Sequence, residues 1–102
     1  MFGGNMQQMM KQAQMMQGQM MKAIEELDAT EIEISSGGGM VKVVMLGNKT
    51  LKSITIDKNA VDPDDVEMLE DLIMAAINEA TTRAEEMRKE KLGKFGGAGG
   101  LF

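Results

Sequence analysis

The chain has 102 residues, including 13 methionines, and it contains neither cysteine nor histidine. Without these two residue types there is no disulfide framework and no thiol nucleophile, and a general base near neutral pH would have to be a shifted carboxylate or lysine. The formal net charge of −5 argues weakly against a nucleic-acid partner, and no apolar run approaches the roughly 20 residues that cross a bilayer. We therefore expect a soluble cytoplasmic protein that is not an enzyme and uses no cofactor, metal, membrane or small-molecule substrate.

The first predicted helix is rich in methionine and glutamine. Residues 1–4 are expected to form a flexible leader, and Asn5 is a good N-cap for the helix. From Met6 to Leu27, apolar residues recur at spacings of three and four, which predicts the seam of a helix packed against another helix. The seam positions are Met6, Met9, Ala13, Met16, Met20, Ala23 and Leu27. Such a helix extends about 33 Å, so part of it must project beyond a small sheet.

The methionines of this helix allow three interpretations. The first, which we favour, is packing, because methionine fills irregular helix seams at little cost in helix propensity. The second is a methionine surface that binds varied apolar peptides. The third is a soft-metal site at Met9, Met16 and Met20, which would lack any assisting cysteine or histidine.

Residues 31–57 predict three short strands in an antiparallel meander. Val41, Val43 and Met45 occupy alternate positions, which is the period of two expected of a sheet with one buried face. The same alternation is seen at Ile32, Ile54 and Ile56.

Glycines mark the two reversals of this meander. Gly37-Gly38-Gly39 supplies backbone freedom for the first, and Gly47-Asn48 tolerates positive φ at the second. A strand rather than a helix follows the triple glycine, so it is interpreted as a turn and not as a phosphate-binding loop.

The sequence VDPDD at residues 61–65 predicts the start of a second long helix. Asp62 is expected as N-cap and Pro63 as the first helical residue, and the acids that follow complement the helix dipole. These roles explain the aspartates without a bound divalent cation. The helix is expected to end at Gly93. Its apolar ladder comprises Val66, Leu69, Ile73, Ala76, Ala80, Ala84 and Met87.

The element order predicts an α+β fold of helix, three-stranded antiparallel meander and helix. We expect a single domain at residues 5–93 and a flexible glycine-rich tail at residues 94–102. How the two helices lie relative to each other stays open. The seam of the first helix and the apolar ladder of the second helix both require a packing partner, and a second copy of the chain is the simplest source of one.

The charges are unevenly distributed along the chain. Acidic residues concentrate beside the strands, at 25–38 and 59–79, whereas the far ends of both helices and the second and third strands are basic. The cations at the helix ends either complement the dipole on a solvated surface or, together with those of the strand turns, contact phosphates. Phosphate contacts in such small number would be weak, salt-sensitive and blind to sequence. No aromatic residue lies within either predicted helix to stack bases, which disfavours single-stranded nucleic acid.

Four segments together carry a resemblance to a known family. They are MQQMMKQAQMMQGQM, ISSGGGMVKVVMLGNKTLKSITID, VDPDD and GGAGGLF. With these segments the chain resembles, over essentially its whole length, the YbaB/EbfC family of bacterial nucleoid-associated DNA-binding proteins. The resemblance implies an intertwined, tweezer-shaped homodimer, in which the sheets join at the centre and helical arms project. It also implies binding of double-stranded DNA with little sequence preference, which contributes to nucleoid organisation and gene regulation.

The family offers no short motif from which single binding residues can be transferred. We therefore expect the DNA contacts to come from the cations of the two projecting helices. These are Lys11, Lys22, Arg83, Arg88, Lys89, Lys91 and Lys94. The alternatives are a protein-interaction module whose methionine-lined arms bind apolar partners, and a purely structural scaffold.

Overall fold

The computed structural model describes residues 2–93 and residue 95, with side chains described from Asn5 onward. It contains α1 (Phe2–Ala29), β1 (Glu31–Ser36), β2 (Val41–Leu46), β3 (Leu51–Ile56) and α2 (Val66–Leu92), with single 3₁₀ turns at Gly37–Gly39 and Lys58–Ala60. The strands form one antiparallel sheet in the order β1-β2-β3, which confirms the predicted α+β fold. Within the described residues, neither helix is apolar over a length that would cross a membrane.

Helix α2 packs across β1 and β2 through a row of small side chains. Ala76, Ala80 and Ala84 are fully buried, and their size lets the helix backbone approach the sheet closely. The strands contribute Ile32, Ile34, Val41, Val43 and Met45 to this core. The predicted ladder of α2 is therefore confirmed, except at its first position, where Val66 is exposed.

Strand β3 lies outside the cover that α2 provides. Ile54 pairs with Val43 and Ile56 pairs with Val41, so these isoleucines lie on the same face of the sheet as the buried valines. They are nevertheless 41% and 38% exposed, respectively, because α2 packs against the other two strands. The apolar face of the sheet is thus only partly buried by the described part of the chain.

In the described chain, the C-terminal part of α1 contacts the C-terminal end of α2. Leu27 forms a second buried cluster with Leu92 and Phe95, and Met20 packs against it. The two helices run antiparallel there, since later residues of α2 meet earlier residues of α1. The rest of α1 projects beyond the sheet, and we call α1 together with the adjoining end of α2 the arm. The described part of the molecule measures 78 × 20 × 16 Å. The predicted overhang is confirmed.

The start of α1 differs from the sequence prediction. The helix begins at Phe2, so Asn5 lies inside it and is not the N-cap. Two glycines, Gly3 and Gly4, adopt helical backbone at an entropic cost but without a steric barrier. Of the predicted leader, Met1 lies outside the described residues. Of the predicted tail at residues 94–102, only Phe95 is described.

The two turns of the meander use glycine for different reasons. Gly37, Gly38 and Gly39 all have positive φ, which uses the backbone freedom expected of glycine at this reversal. In the second turn the positive φ falls on Lys49, at 70°, and not on Gly47 or Asn48. Gly47 instead lies against the end of α1, where an added Cβ would overlap the carbonyl group of Leu27.

Helix α2 begins later than the sequence predicts. Its N-cap is Asp65, whose Oδ1 accepts a hydrogen bond from the backbone N–H of Met68 at 3.3 Å. Asp62 Oδ1 accepts instead from the N–H of Asp64, and the Asp62 carbonyl accepts from the N–H of Asp65, at 2.9 Å in each case. The assignments of Asp62 as cap and Pro63 as first helical residue are therefore wrong, because this aspartate forms a turn that precedes the helix. Gly93 is the C-cap, as predicted.

Candidate nucleic-acid interface

The two lysines of α1 lie on one side of the arm. Lys11 and Lys22 are three helical turns apart, which places both on the face opposite the methionine seam with about 16 Å between them. Both are exposed, and neither forms an ion pair with the described residues. Lys11 lies on the projecting part of α1, whereas Lys22 is next to Ala23, which packs on the α2 cluster.

The predicted cations of α2 fall into two groups. Arg88 is half-buried, and its Nη1 lies 3.6 Å from Asp28 Oδ1, so it joins α2 to the end of α1. Arg83, Lys89 and Lys91 are exposed and have no ion-pair partner among the described residues. Lys94 lies outside the described residues.

A further cation, Lys49, approaches α2 from the turn between β2 and β3. Its Nζ lies 3.0 Å from Glu85 Oε1. With Arg88 and Lys89, this pair lines a shallow groove between the turn and the helix. The contact residues that the sequence analysis named by number did not include Lys49, because no local pattern indicates that this turn reaches the second helix.

The remaining strand lysines are neutralised on the polar face of the sheet. Lys42 Nζ lies 3.3 Å from Glu33 Oε1, and Lys52 Nζ lies 3.0 Å from Glu31 Oε2. Exposed pairs of this kind add little to stability, but each carboxylate lowers the local positive potential. Of the described cations without an ion-pair partner, five lie on the helices and one, Lys58, lies in the turn that follows β3.

The packing of the two helices brings several predicted site residues to the same distance along the arm. Leu92 of α2 clusters with Leu27, and Ala23 and Ile24 pack against them, so Lys89 and Lys91 lie along the same stretch as Lys22. Arg83 lies nearer the sheet, since Ala84 packs into the sheet core, and Lys11 lies farther out. This arrangement suits a ligand with a repeating negative charge, because the cations are spread along the arm. Within the described residues, no three acidic side chains gather into a metal-binding group.

The fold and these side chains define a class of α+β protein in which a small sheet carries a projecting helical arm with exposed cations and exposed methionines. A family model agrees with this architecture over nearly the whole chain, since the model of the YbaB/EbfC DNA-binding family matches residues 2–100. The chain therefore belongs to the YbaB/EbfC DNA-binding family, and the resemblance seen in the sequence is confirmed.

Curated relatives match almost end to end. A protein of Ruminiclostridium cellulolyticum named "Nucleoid-associated protein" is 52% identical over 101 residues, which cover 98% of this chain and 88% of that protein. A protein of Clostridium botulinum with the same name is 53% identical over 102 residues, covering 98% and 90%, respectively. A third, from Chloroflexus aurantiacus, is 48% identical over 99 residues, covering 96% and 99%.

A solved structure has the same fold. The crystal structure of the uncharacterized protein HP0035 from Helicobacter pylori matches with a TM-score of 0.73 at 27% sequence identity. The match covers 86% of this chain and 92% of that chain, so most of each chain shares the fold.

Proposed function

We propose that the protein is a nucleoid-associated homodimer that binds double-stranded DNA with little sequence preference through the cations of its helical arms. The observation that carries this proposal is a set of exposed cations at the same distance along the arm that have no ion-pair partner among the described residues, namely Lys22, Lys89 and Lys91. The names of the relatives and of their family support a location at the bacterial nucleoid, in the cytoplasm. This family is one of DNA-binding proteins and not of enzymes.

The chemistry of the arm favours duplex phosphates over exposed bases. Lysine side chains on a helix surface contact phosphates as mobile point charges, and such contacts carry no sequence information. Binding to single strands would require aromatic side chains on which bases stack. Phe95, the aromatic residue nearest Lys91 in the described sequence, is 7% exposed and is held in the cluster with Leu27.

The open face of β3 supports the homodimer. Leu51, Ile54 and Ile56 are all more than one-third exposed on a strand whose outer edge no other strand covers in the described chain. An exposed apolar edge strand is a template for pairing with another chain. A second copy would cover the isoleucines and the backbone edge together, and would place two cationic arms on one particle. Two linked arms raise the affinity for a long anion without any new kind of contact.

Mobility shift of short DNA duplexes of unrelated sequence, measured at low and at physiological salt, tests the proposal. The Lys89→Gln/Lys91→Gln variant is expected to weaken binding about tenfold or more on every sequence. It should also reduce the slope of log affinity against log salt by roughly 0.9 for each phosphate that the variant no longer neutralises. Lys42→Gln/Lys52→Gln is the matched control, because it removes the same charge from lysines that are paired on the sheet.

Two results would contradict this proposal. One is an equal decrease of affinity in both variants, which would indicate a general charge effect and no arm contact. The other is the absence of any shift by the native protein at low salt while the dimer is intact.

A second candidate function rests on the methionines of α1. Met6, Met9 and Met16 are each more than half exposed, and they share one side of the arm. If this surface bound apolar peptides, binding would tolerate salt and survive Lys89→Gln/Lys91→Gln, but would fail in a variant with Met9→Gln and Met16→Gln.

A further inference from the structure

A groove between the β2–β3 turn and helix α2 gathers three cations around one carboxylate. It is lined by Lys49, Glu85, Arg88 and Lys89 and has a volume of about 210 Å³, and we call it the turn groove. Its three helical residues follow the spacing that places side chains on one face of a helix, and Lys49 approaches that face from the turn. A shallow groove of this size does not enclose a small molecule. It suits a single anionic group of a larger ligand that lies across the surface.

The turn groove holds more positive than negative charge. Glu85 Oε1 lies 3.0 Å from Lys49 Nζ. Asp28, at the end of α1, approaches Arg88 at 3.6 Å but does not line the groove. Lys89 has no ion-pair partner among the described residues. An anion that enters the groove therefore meets three cations and one carboxylate.

The backbone of the turn fixes the position from which Lys49 reaches α2. The N–H of Lys49 donates to the carbonyl of Leu46 at 2.8 Å, and the N–H of Thr50 donates to Asn48 Oδ1 at 2.9 Å. Lys49 itself has a φ of 70°, a left-handed conformation that asparagine tolerates better than lysine does. Backbone strain of this kind collects at functional positions. Here it coincides with the residue whose ammonium group enters the groove.

The pair of Lys49 with Glu85 can yield to a phosphate. Their side chains are 45% and 54% exposed, and ion pairs at such exposure are weak. A phosphate oxygen accepts from lysine as a carboxylate oxygen does, and it also accepts from the planar guanidinium of an arginine such as Arg88. Exchange of Glu85 for a phosphate therefore keeps the charge of Lys49 paired and brings the other two cations of the groove into the contact.

We propose that the turn groove binds one phosphodiester of duplex DNA, with Lys49 and Arg88 as its donors and Glu85 as the intramolecular anion that the phosphate displaces. This inference rests on the proposed DNA-binding function, and it extends the contact surface from the helices to the β2–β3 turn. Lys89 belongs both to the groove and to the cations of the arm. One duplex can therefore contact both.

Mobility shift of a short DNA duplex by the full chain tests the site. Lys49→Gln is expected to weaken binding about three- to tenfold and to reduce the slope of log affinity against log salt by about 0.9, the value for one phosphate. Glu85→Gln is expected to strengthen binding roughly two- to fivefold, which is the range for loss of an exposed ion pair. The second effect has the opposite sign because the phosphate no longer competes with a carboxylate for Lys49.

The pair of Lys52 with Glu31 provides matched controls. Its two charged atoms also lie 3.0 Å apart and its side chains are similarly exposed, but it joins β3 to β1 and does not line the groove. Lys52→Gln and Glu31→Gln make the same two changes of net charge. Each should change the affinity about twofold or less, because solvent and salt screen charges that do not touch the ligand.

The proposal is overturned if Lys49→Gln binds DNA as the native chain does, or if Lys52→Gln loses as much affinity. It is also overturned if Glu85→Gln binds more weakly than the native chain, since Glu85 would then support Lys49 and not compete for it. The Lys89→Gln/Lys91→Gln variant, measured in parallel, separates the two proposals. Weaker binding by that variant beside an unchanged Lys49→Gln overturns the groove alone, whereas a native chain that shifts no duplex at low salt overturns the DNA-binding function as well.

Discussion

Replacement of Gly47 by alanine is expected to lower the free energy of unfolding by about 3 kcal/mol or more. An added Cβ would overlap the Leu27 carbonyl oxygen and approach its carbonyl carbon to 2.8 Å, and both atoms belong to the backbone at the end of α1. A backbone cannot move aside as a side-chain tip can, so the turn and α1 must separate. That separation would strain the hydrogen bond from the N–H of Gly47 to the carbonyl of Thr30, which is 2.9 Å long. Overpacking with backbone displacement typically costs about 1–3 kcal/mol, and sometimes more.

Thermal denaturation followed by circular dichroism measures this effect. A decrease of about 3 kcal/mol lowers the Tm of a domain of this size by roughly 12 °C or more. Gly18→Ala is the matched control, because Gly18 lies inside α1 and an added Cβ would meet no heavy atom within 4 Å in the described structure. That variant should gain about 0.5–1 kcal/mol, since alanine favours helix over glycine. Equal Tm changes in the two variants would contradict the close approach of the turn to α1.

The second large effect is expected from the Ile54→Lys/Ile56→Lys variant, which should convert the proposed homodimer into a monomer. Both side chains lie on the open half of the apolar sheet face, and burial of two lysines against a second copy would be strongly unfavourable. The protomer itself should remain folded, because α2 packs against the other two strands. Loss of the second arm should also weaken DNA binding about a hundredfold, in the lower range of avidity gains.

Sedimentation equilibrium at micromolar concentration measures the association, and circular dichroism confirms that the fold is retained. Ser53→Lys/Thr55→Lys is the matched control, because it adds the same charge to the same strand at the alternate positions, which face the other side of the sheet. The control should stay dimeric. A native protein that sediments as a monomer, or a control that dissociates as readily as the isoleucine variant, would refute the β3 interface.

The elements that could be predicted are those whose signal is local. The alternation of Val41, Val43 and Met45 and the four-residue spacing of Ala76, Ala80 and Ala84 each reflect the period of one element. The structure confirms both, and it buries those six residues in one core. The family resemblance was likewise carried by contiguous segments, and it is confirmed over residues 2–100.

Predictions failed where neighbouring residues had the same local capability. Asp62 and Asp65 can each cap a helix, and the choice of Asp65 follows from a turn that Asp62 closes before α2 begins. Glycine at position 47 suggested a positive φ, but the structure uses its lack of a side chain to admit the end of α1. In both cases the residue type was informative, whereas its role depended on surroundings that the local sequence does not encode.

The sequence alone was sufficient for the order of elements, the ladder of α2 and the last part of the α1 seam at Met20, Ala23 and Leu27. These features follow from the periodicity of each element and from the sizes of side chains that are near neighbours in the chain. The rest of the predicted seam, from Met6 to Met16, does not pack against a helix in the described chain. The sequence was insufficient for the pairing of Arg88 with Asp28, the approach of Lys49 to Glu85, and the bare half of the sheet at β3. Those features join residues far apart in the chain. Their distances are set by how α2 crosses the sheet and meets α1, which is a property of the packed whole.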